Sequence, residues 1–316
     1  MTTKTPIIID CDPGHDDALA ILLAAGTPSL DVLAITTVAG NQTLDNVTRN
    51  ASSVATLGGL TCPIARGASC PLVRDPIVAD VHGLTGLDGP EPGDMPAPRE
   101  AIETPACDLI ADLVLSRPGE ITICALGPLT NIAMALRRRP ELIKAIKAIY
   151  LMGGSVGSGN VTPAAEFNIF VDPEAARVVF RSGVPVVMVP LEVTHRALAT
   201  DQVITDIAAL NTRLSNALVK ILGFFKEAYL RTQGFGSPPI HDPCAVMALI
   251  HPEIIKVTRA HIDIETTGGL TTGQTVVDRR APAPEDCTTA FASDIDVDAF
   301  WAKMLEALKR IGEPEW

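Results

Sequence analysis

No segment of this chain is apolar for long enough to cross a bilayer; the longest apolar runs, such as Val184 to Leu191, are short and broken by proline. Clusters of positive charge are also missing. Lys and Arg number 25 against 37 Asp and Glu, a formal net charge of -12, and they are scattered along the chain. That distribution excludes a phosphate-tracking groove and attachment to an anionic membrane, so neither nucleic acid nor membrane is an expected partner. The start, Met1 to Pro6, has no basic region followed by a long apolar one, so no secretory signal is expected. No pair of cysteines has CxxC spacing, and their number, seven, is odd. Cys11, Cys62, Cys70, Cys107, Cys124, Cys244 and Cys287 therefore read as buried, reduced thiols of a cytoplasmic protein rather than a disulfide framework. Aromatic residues are scarce at 4%, yet hydrophobic residues reach 47% of 316, enough for one large core and unlike a disordered composition. With no linker, repeat or low-complexity tract, residues 1–316 read as a single domain, a length that large α/β sheets reach as one unit.

What is present is a repeated strand–helix alternation. Pro6 to Cys11 is an apolar, β-branched strand, Pro13-Gly14 turns the chain, and Asp16 to Ala25 reads as a helix. The strand Asp31 to Val38 with the helix Thr43 to Leu57 repeats the unit, as does Ile121 to Leu126 with Leu129 to Arg138. Strands at Ile146 to Met152 and Pro185 to Val189 continue it, with a helix from Pro173 to Arg181 between them. Apolar strands alternating with helices predict an α/β fold with a mostly parallel, Rossmann-like sheet flanked by helices on both faces. After Thr200 the pattern changes. Helices are expected over Asn211 to Thr232 and Asp242 to Ile250. Strands near Ile262 to Glu265, Gln274 to Val277 and Ala290 to Ile295 predict a small antiparallel extension. The Gly- and Pro-rich stretch Leu84 to Pro98 predicts a loop over the site.

The densest chemistry lies at the first strand's end. Asp10, Asp12, Asp16 and Asp17 fall within eight residues of IIIDCDPGHDDALAILLA. Strand ends of this kind open into the crevice where α/β proteins bind ligands. Asp10 and Asp12 share one strand face, and the Pro13-Gly14 turn folds back over them. Asp16 and Asp17 start a helix, whose dipole stabilises negative charge by only about 0.3–1 kcal/mol per group. Two unit charges ~4 Å apart repel by roughly 4 kcal/mol at an effective dielectric of about 20. The cluster must therefore be partly protonated or hold a cation. Oxygen donors without a neighbouring His or Cys cluster indicate a hard cation, and calcium tolerates this irregular set better than magnesium. The spacing is not that of an EF-hand loop. Helix capping with surface acids is the bland alternative.

DCDPGHDDALAILLA resembles the signature of the inosine-uridine-preferring nucleoside hydrolases. The similarity continues in the family's order through ITTVAGNQT (Ile35 to Thr43), GPLTN (Gly127 to Asn131), LMGG (Leu151 to Gly154), AEFNIFVDPEAA (Ala165 to Ala176) and HDPCAV (His241 to Val246). The resemblance implies calcium-dependent hydrolysis of the N-glycosidic bond of ribonucleosides, purine or pyrimidine, by an enzyme that forms homodimers or homotetramers. Inverting attack by water through an oxocarbenium-like transition state would release ribose and free base. It implies Asp12, Asp17, Asp242 and the Leu126 carbonyl as calcium ligands, with Asp12 also the general base. Asp16 and Asn41 are implied at the ribose 2′-hydroxyl, Asn168 on the 3′ side, and Glu166 and Asn160 at the 5′-hydroxyl. Phe167 and the backbone near Met152 belong to the same substrate-binding set, and Asp10 supports the cluster from behind. Carboxylates around the sugar suit its developing positive charge.

On the base side the resemblance implies His241 as donor to the leaving base and His82, in VHGLTG, as a second pocket histidine on a mobile loop. His15 departs from the aliphatic residue of many members and, with HGLTGLDGP, resembles the pyrimidine-preferring branch. Phe225 and Tyr229, one helical turn apart, either stack on a nucleobase or pack in the core. Aromatics at those places resemble members that also accept purines, so base preference stays open. His195, His251 and His261 receive no role. Two other readings compete. A DxD phosphatase-like hydrolase on Asp10 and Asp12 would want a downstream Lys and a further acidic motif, where this chain has AEFN and HDP. A non-catalytic calcium- or ribose-binding protein would not require every catalytic position to be filled.

Overall fold

β1 (Thr5–Cys11) is buried from its second residue onward, and its isoleucines alternate between two cores. Ile7 and Ile9 join the hydrophobic cluster on one side of the sheet and Ile8 joins the cluster on the other, all at 0% exposure. Full burial of such a side chain is worth about 1.5–3 kcal/mol, so this strand cannot be moved to an edge cheaply. It is described in a computed structural model covering residues 4–313. Met1 to Thr3 and Pro314 to Trp316, on which the leader and domain-limit expectations partly fall, lie outside the described residues.

The chain continues through α1 (His15–Ala25), β2 (Leu30–Thr37), α2 (Leu44–Leu57), β3 (Ile64–Arg66), α3 (Ala106–Ser116), β4 (Thr122–Ala125), α4 (Thr130–Arg138) and α5 (Leu142–Ala145). Next come β5 (Ala148–Met152), α6 (Phe167–Val171), α7 (Pro173–Phe180), β6 (Val186–Val189), α8 (Leu191–Thr194), α9 (Asp201–Ala208) and α10 (Arg213–Gln233). The last elements are α11 (Asp242–Ile250), β7 (Ile255–Arg259), β8 (His261–Ile264), β9 (Thr275–Asp278), β10 (Thr289–Ile295) and α12 (Val297–Ile311). The main sheet has the order β3-β2-β1-β4-β5-β6-β10-β7, parallel except for β7. This is the expected single-domain α/β fold, with helices on both faces. No helix among the described residues is long and apolar enough to cross a membrane.

The antiparallel extension needs correction in one strand. β8 and β9 do pair antiparallel as a separate ribbon, but β10 enters the main sheet parallel to β6. Its first four residues are all buried, which suits an interior strand, whereas β7, which closes the edge beyond it, exposes four of its five residues. That exposure leaves β7 without an apolar signature, and the sequence pattern does not reveal it.

Strand order reverses between β1 and β4, the place where open α/β sheets form their ligand crevice. The Leu126 amide donates to the Asp10 carbonyl at 2.7 Å, tying the two strand ends together.

Candidate active site

Asp10 forms the floor. Its Oδ1 accepts from Thr36 Oγ1 at 2.6 Å and Asn131 Nδ2 at 2.8 Å, while Oδ2 is buried without a partner. Burial raises its pKa to about 6. Asp12 stands above it: Oδ2 accepts the Asn41 amide at 2.6 Å, and Oδ1 is buried without a partner. A Cβ on Gly40 or on Gly127 would run into this carboxylate, so both positions need glycine for close approach. Asp17, in the first turn of α1, accepts from the Gly14 amide at 3.0 Å, Asn41 Nδ2 at 3.1 Å and the Asp12 amide at 3.3 Å. Asp16 accepts the His241 amide at 3.3 Å, and burial followed by the charge of Asp17 lifts its pKa to about 7.

Asp242 opens α11 at 3% exposure, and burial, then Asp16 and Asp17, push its carboxyl well above the usual range. Burial and then Asp17 do the same to Asp12. Carboxylate oxygens of Asp16, Asp17 and Asp242 lie within 4.8 Å of one another. Asp17 and Asp242, two of the expected ligands, thus have Asp16 as their neighbour, and the third, Asp12, offers one buried oxygen without a partner. Buried oxygens so close, with one left unpartnered, form a donor set that fits a hard cation.

Beside the acids opens a cavity of about 320 Å³. Asp16, Asn41, Leu126, Met152, Asn160, Glu166, Phe167, Asn168, Tyr229, His82, His241 and Asp242 all line it. Asn168 spans two strand ends, donating from Nδ2 to the Leu126 carbonyl at 2.8 Å and the Met152 carbonyl at 3.2 Å. Glu166 caps α6: Oε1 accepts the Asn168 amide at 2.9 Å, and Oε2 accepts the Gly154 and Ile169 amides at 2.8 and 3.2 Å. Its burial raises its pKa to about 7. Asn160 Oδ1 accepts the Phe167 amide at 3.0 Å. The side chains of Asn160, Glu166 and Asn168 are thus all locked by backbone.

The opposite wall carries rings. His241 has both nitrogens engaged, Nδ1 with Thr194 Oγ1 at 2.8 Å and Nε2 with the Tyr229 hydroxyl at 2.9 Å. Burial, then the neighbouring His195, brings its pKa down to about 3, so it rests neutral. Burial likewise holds His82 well below its ordinary value. Phe225 does not line the cavity; of the two places open to it, the core is the one it takes. It is 0% exposed and stacks on His15, with ring centroids 4.8 Å apart and an interplanar angle of 2°. The Leu84 to Pro98 stretch also differs from expectation, since none of it lines the cavity; the rim is formed by residues 77–82. Asp88, from that stretch, instead accepts from His15 behind the wall.

Thr194, Asn131, Thr232 and Gln233 escape the sequence reading. Thr232 and Gln233 sit three and four residues beyond Tyr229 on α10, so helical spacing from Tyr229 would have found them. Thr194 and Asn131 act only through distant partners and carry no local signal. Of the seven thiols, Cys11, Cys107, Cys124 and Cys244 are buried as expected, whereas Cys62 and Cys287 are half-buried and Cys70 is exposed.

Comparison with known proteins bears on the whole chain. The family model described as "Inosine-uridine preferring nucleoside hydrolase" matches residues 7–302. The inosine-uridine preferring nucleoside hydrolase of Crithidia fasciculata is 45% identical, over 98% of this chain and 99% of that one. The pyrimidine-specific ribonucleoside hydrolase RihA of Photobacterium profundum is also 45% identical, over 96% of this chain and 98% of its own. Among solved structures, the purine-preferring ribonucleoside hydrolase from Gardnerella vaginalis superposes with a TM-score of 0.91 at 32% identity, covering 97% of this chain and 99% of the other.

Proposed function

The chain belongs to the inosine-uridine preferring nucleoside hydrolase family, and from that premise we propose how its cavity hydrolyses a ribonucleoside. The observation that carries the reading is one cavity that gathers Asp16, Asn41, Glu166 and Asn168 beside the buried acids. These residues would grip the ribose hydroxyls: Asp16 and Asn41 the 2′ side, Asn168 the 3′ side, Glu166 and Asn160 the 5′ end. Asp12, whose Oδ1 has no partner, accepts the proton of the attacking water. The surrounding carboxylates stabilise the oxocarbenium-like sugar, and attack opposite the base inverts the anomeric carbon.

Asp12, Asp17, Asp242 and the Leu126 carbonyl would hold calcium, with Asp16 beside them. When bound, that ion offsets the charge of the acids and offers coordination positions to ribose oxygens. On the base side His241 and Tyr229 act as one hydrogen-bonded unit, while His82 offers a separate nitrogen. The same reading makes the chain a cytoplasmic homodimer or homotetramer, which the resemblance supports.

The deciding experiment is release of free ribose from uridine, inosine and their 2′-deoxy analogues. Ribose from the ribonucleosides alone is expected. Comparable efficiency on uridine and 2′-deoxyuridine would refute the sugar assignment, because a site built around a hydroxyl rejects its absence strongly. Binding of nucleosides without any ribose release would instead favour the non-catalytic reading.

A further inference from the structure

His15 has no part in the reaction described above, yet it is fully buried at 0% exposure and its ring lies against His82. Five contacts define the arrangement. The His15 backbone amide donates to His82 Nδ1 at 3.3 Å. An amide can only donate, so His82 Nδ1 is an acceptor and the proton of this neutral ring sits on Nε2. His15 Nε2 meets the Asp88 carbonyl at 2.8 Å. A carbonyl can only accept, so His15 Nε2 is a donor and that ring is pinned to the chain behind it.

In the tautomers just assigned neither Nδ1 carries a proton, so their 3.1 Å approach is imposed by the His15 amide and the stacked rings rather than by a hydrogen bond between the rings. His82 Nδ1 is thereby turned toward His15, and Nε2 is the nitrogen left for the cavity. Finally, His15 is held flat by Phe224 and Phe225, with centroids 5.3 and 4.8 Å away and interplanar angles of 5° and 2°. Gly14 completes the seat. A Cβ there would overlap the His82 ring, so the turn admits that ring only because it carries glycine.

We propose that His15 is a positioning residue for the reaction: with the Gly14 turn it seats His82 so that Nε2–H is presented to the leaving nucleobase, in particular to a ring carbonyl oxygen of a pyrimidine. The inference rests on the reading above, which places a ribonucleoside in this cavity. As the glycosidic bond breaks, the pyrimidine's negative charge spreads onto its ring carbonyls. A preset donor there stabilises the leaving group without reorganising. His15 never touches substrate and acts through His82 alone.

The test compares uridine with p-nitrophenyl β-D-ribofuranoside, whose phenolate departs without help from a donor. His15→Phe keeps an aromatic ring between Phe224 and Phe225 but removes both nitrogens. In the full-length enzyme with calcium, it should lower kcat on uridine on the order of 10²-fold, the scale of losing about 1 Å of positioning. KM for uridine and turnover of the nitrophenyl riboside should hardly change. The double variant with His82→Ala should be no worse on uridine than His82→Ala alone, as expected for residues acting through one another. Equal losses on both substrates, additive losses in the double variant, or an unchanged uridine rate would overturn the proposal. A second readout does not depend on activity or on any variant's folding: imidazole ¹⁵N NMR of the wild type should show His82 as the Nε2–H tautomer. An Nδ1–H tautomer would overturn the positioning role even in an enzyme that hydrolyses uridine well, whereas a wild type that releases no ribose would remove the functional reading as well.

Discussion

The two walls of the cavity are built on different principles. On the sugar side, Glu166, Asn160, Asp12 and Asp17 are each held by backbone amides at strand ends and helix starts. On the base side, His241 and Tyr229 are held by side chains from α8 and α10, and His82 by stacking on His15 and Phe225 with a single backbone amide, that of His15. Groups fixed by the backbone cannot drift without disturbing the sheet; groups fixed by side chains can be retuned one substitution at a time. On the proposed reading, the difference separates the shared reaction from the choice of base. Relatives at 45%, 45% and 32% identity are named inosine-uridine preferring, pyrimidine-specific and purine-preferring, respectively.

Breaking the sugar wall should produce the largest effects. Chelating the metal, or replacing Asp12 by Asn, is expected to abolish ribose release from every nucleoside alike, as followed by a reducing-sugar assay. Turnover that survives thorough chelation would show that the acids work alone. On the base wall the losses should be smaller and should depend on substrate. His241→Ala is expected to depress inosine hydrolysis by ~10²–10⁴-fold, the range of general acid catalysis, and uridine hydrolysis much less, while His82→Ala does the reverse. These effects belong mainly to kcat, because the ribose grips remain. Steady-state kinetics of both variants on both nucleosides decide it, and equal losses on both would erase the division between the histidines.

Two further changes sharpen the contrast. Tyr229→Phe removes only a hydroxyl, leaving His241 Nε2 without its 2.9 Å partner. A buried polar group left unpaired costs about 1–3 kcal/mol, so a lower thermal midpoint should accompany a fall in inosine turnover. An unchanged inosine rate would detach Tyr229 from the leaving-group machinery. Leu84→Ser is expected to have the smallest effect: Leu84 is 87% exposed and outside the cavity lining, and a surface change of this kind stays within about 0.5 kcal/mol. A large kinetic loss there would restore the Leu84 to Pro98 loop to the site.

How much of this is legible in the sequence follows the same division. The limits of α11, and those of β1 and α1 to within one residue, can be read because apolar periodicity, Pro13-Gly14 and the acids mark them locally. The sugar wall is legible for a related reason: its residues cluster in short motifs at the ends of strands. The base wall is not. The stacking of Phe225 on His15 joins residues 210 positions apart, and nothing near either residue announces it. Phe225 and Tyr229 share a helix face and an aromatic character, yet one is core and the other lines the cavity. Periodicity places both on one stripe but cannot say where the cavity begins. The parallel pairing of β10 is hidden likewise, since strand direction within a sheet depends on the path of the whole chain.

The central claim is that the backbone-held wall recognises ribose through its hydroxyls and that this recognition drives bond cleavage. The most direct measurement is kcat/KM for uridine against 2′-deoxyuridine, by ribose and deoxyribose release from the same calcium-loaded enzyme. A site whose buried polar groups are left unpaired by the deoxy sugar should discriminate by roughly 10⁴-fold or more. Equal efficiencies on the two nucleosides would contradict the account.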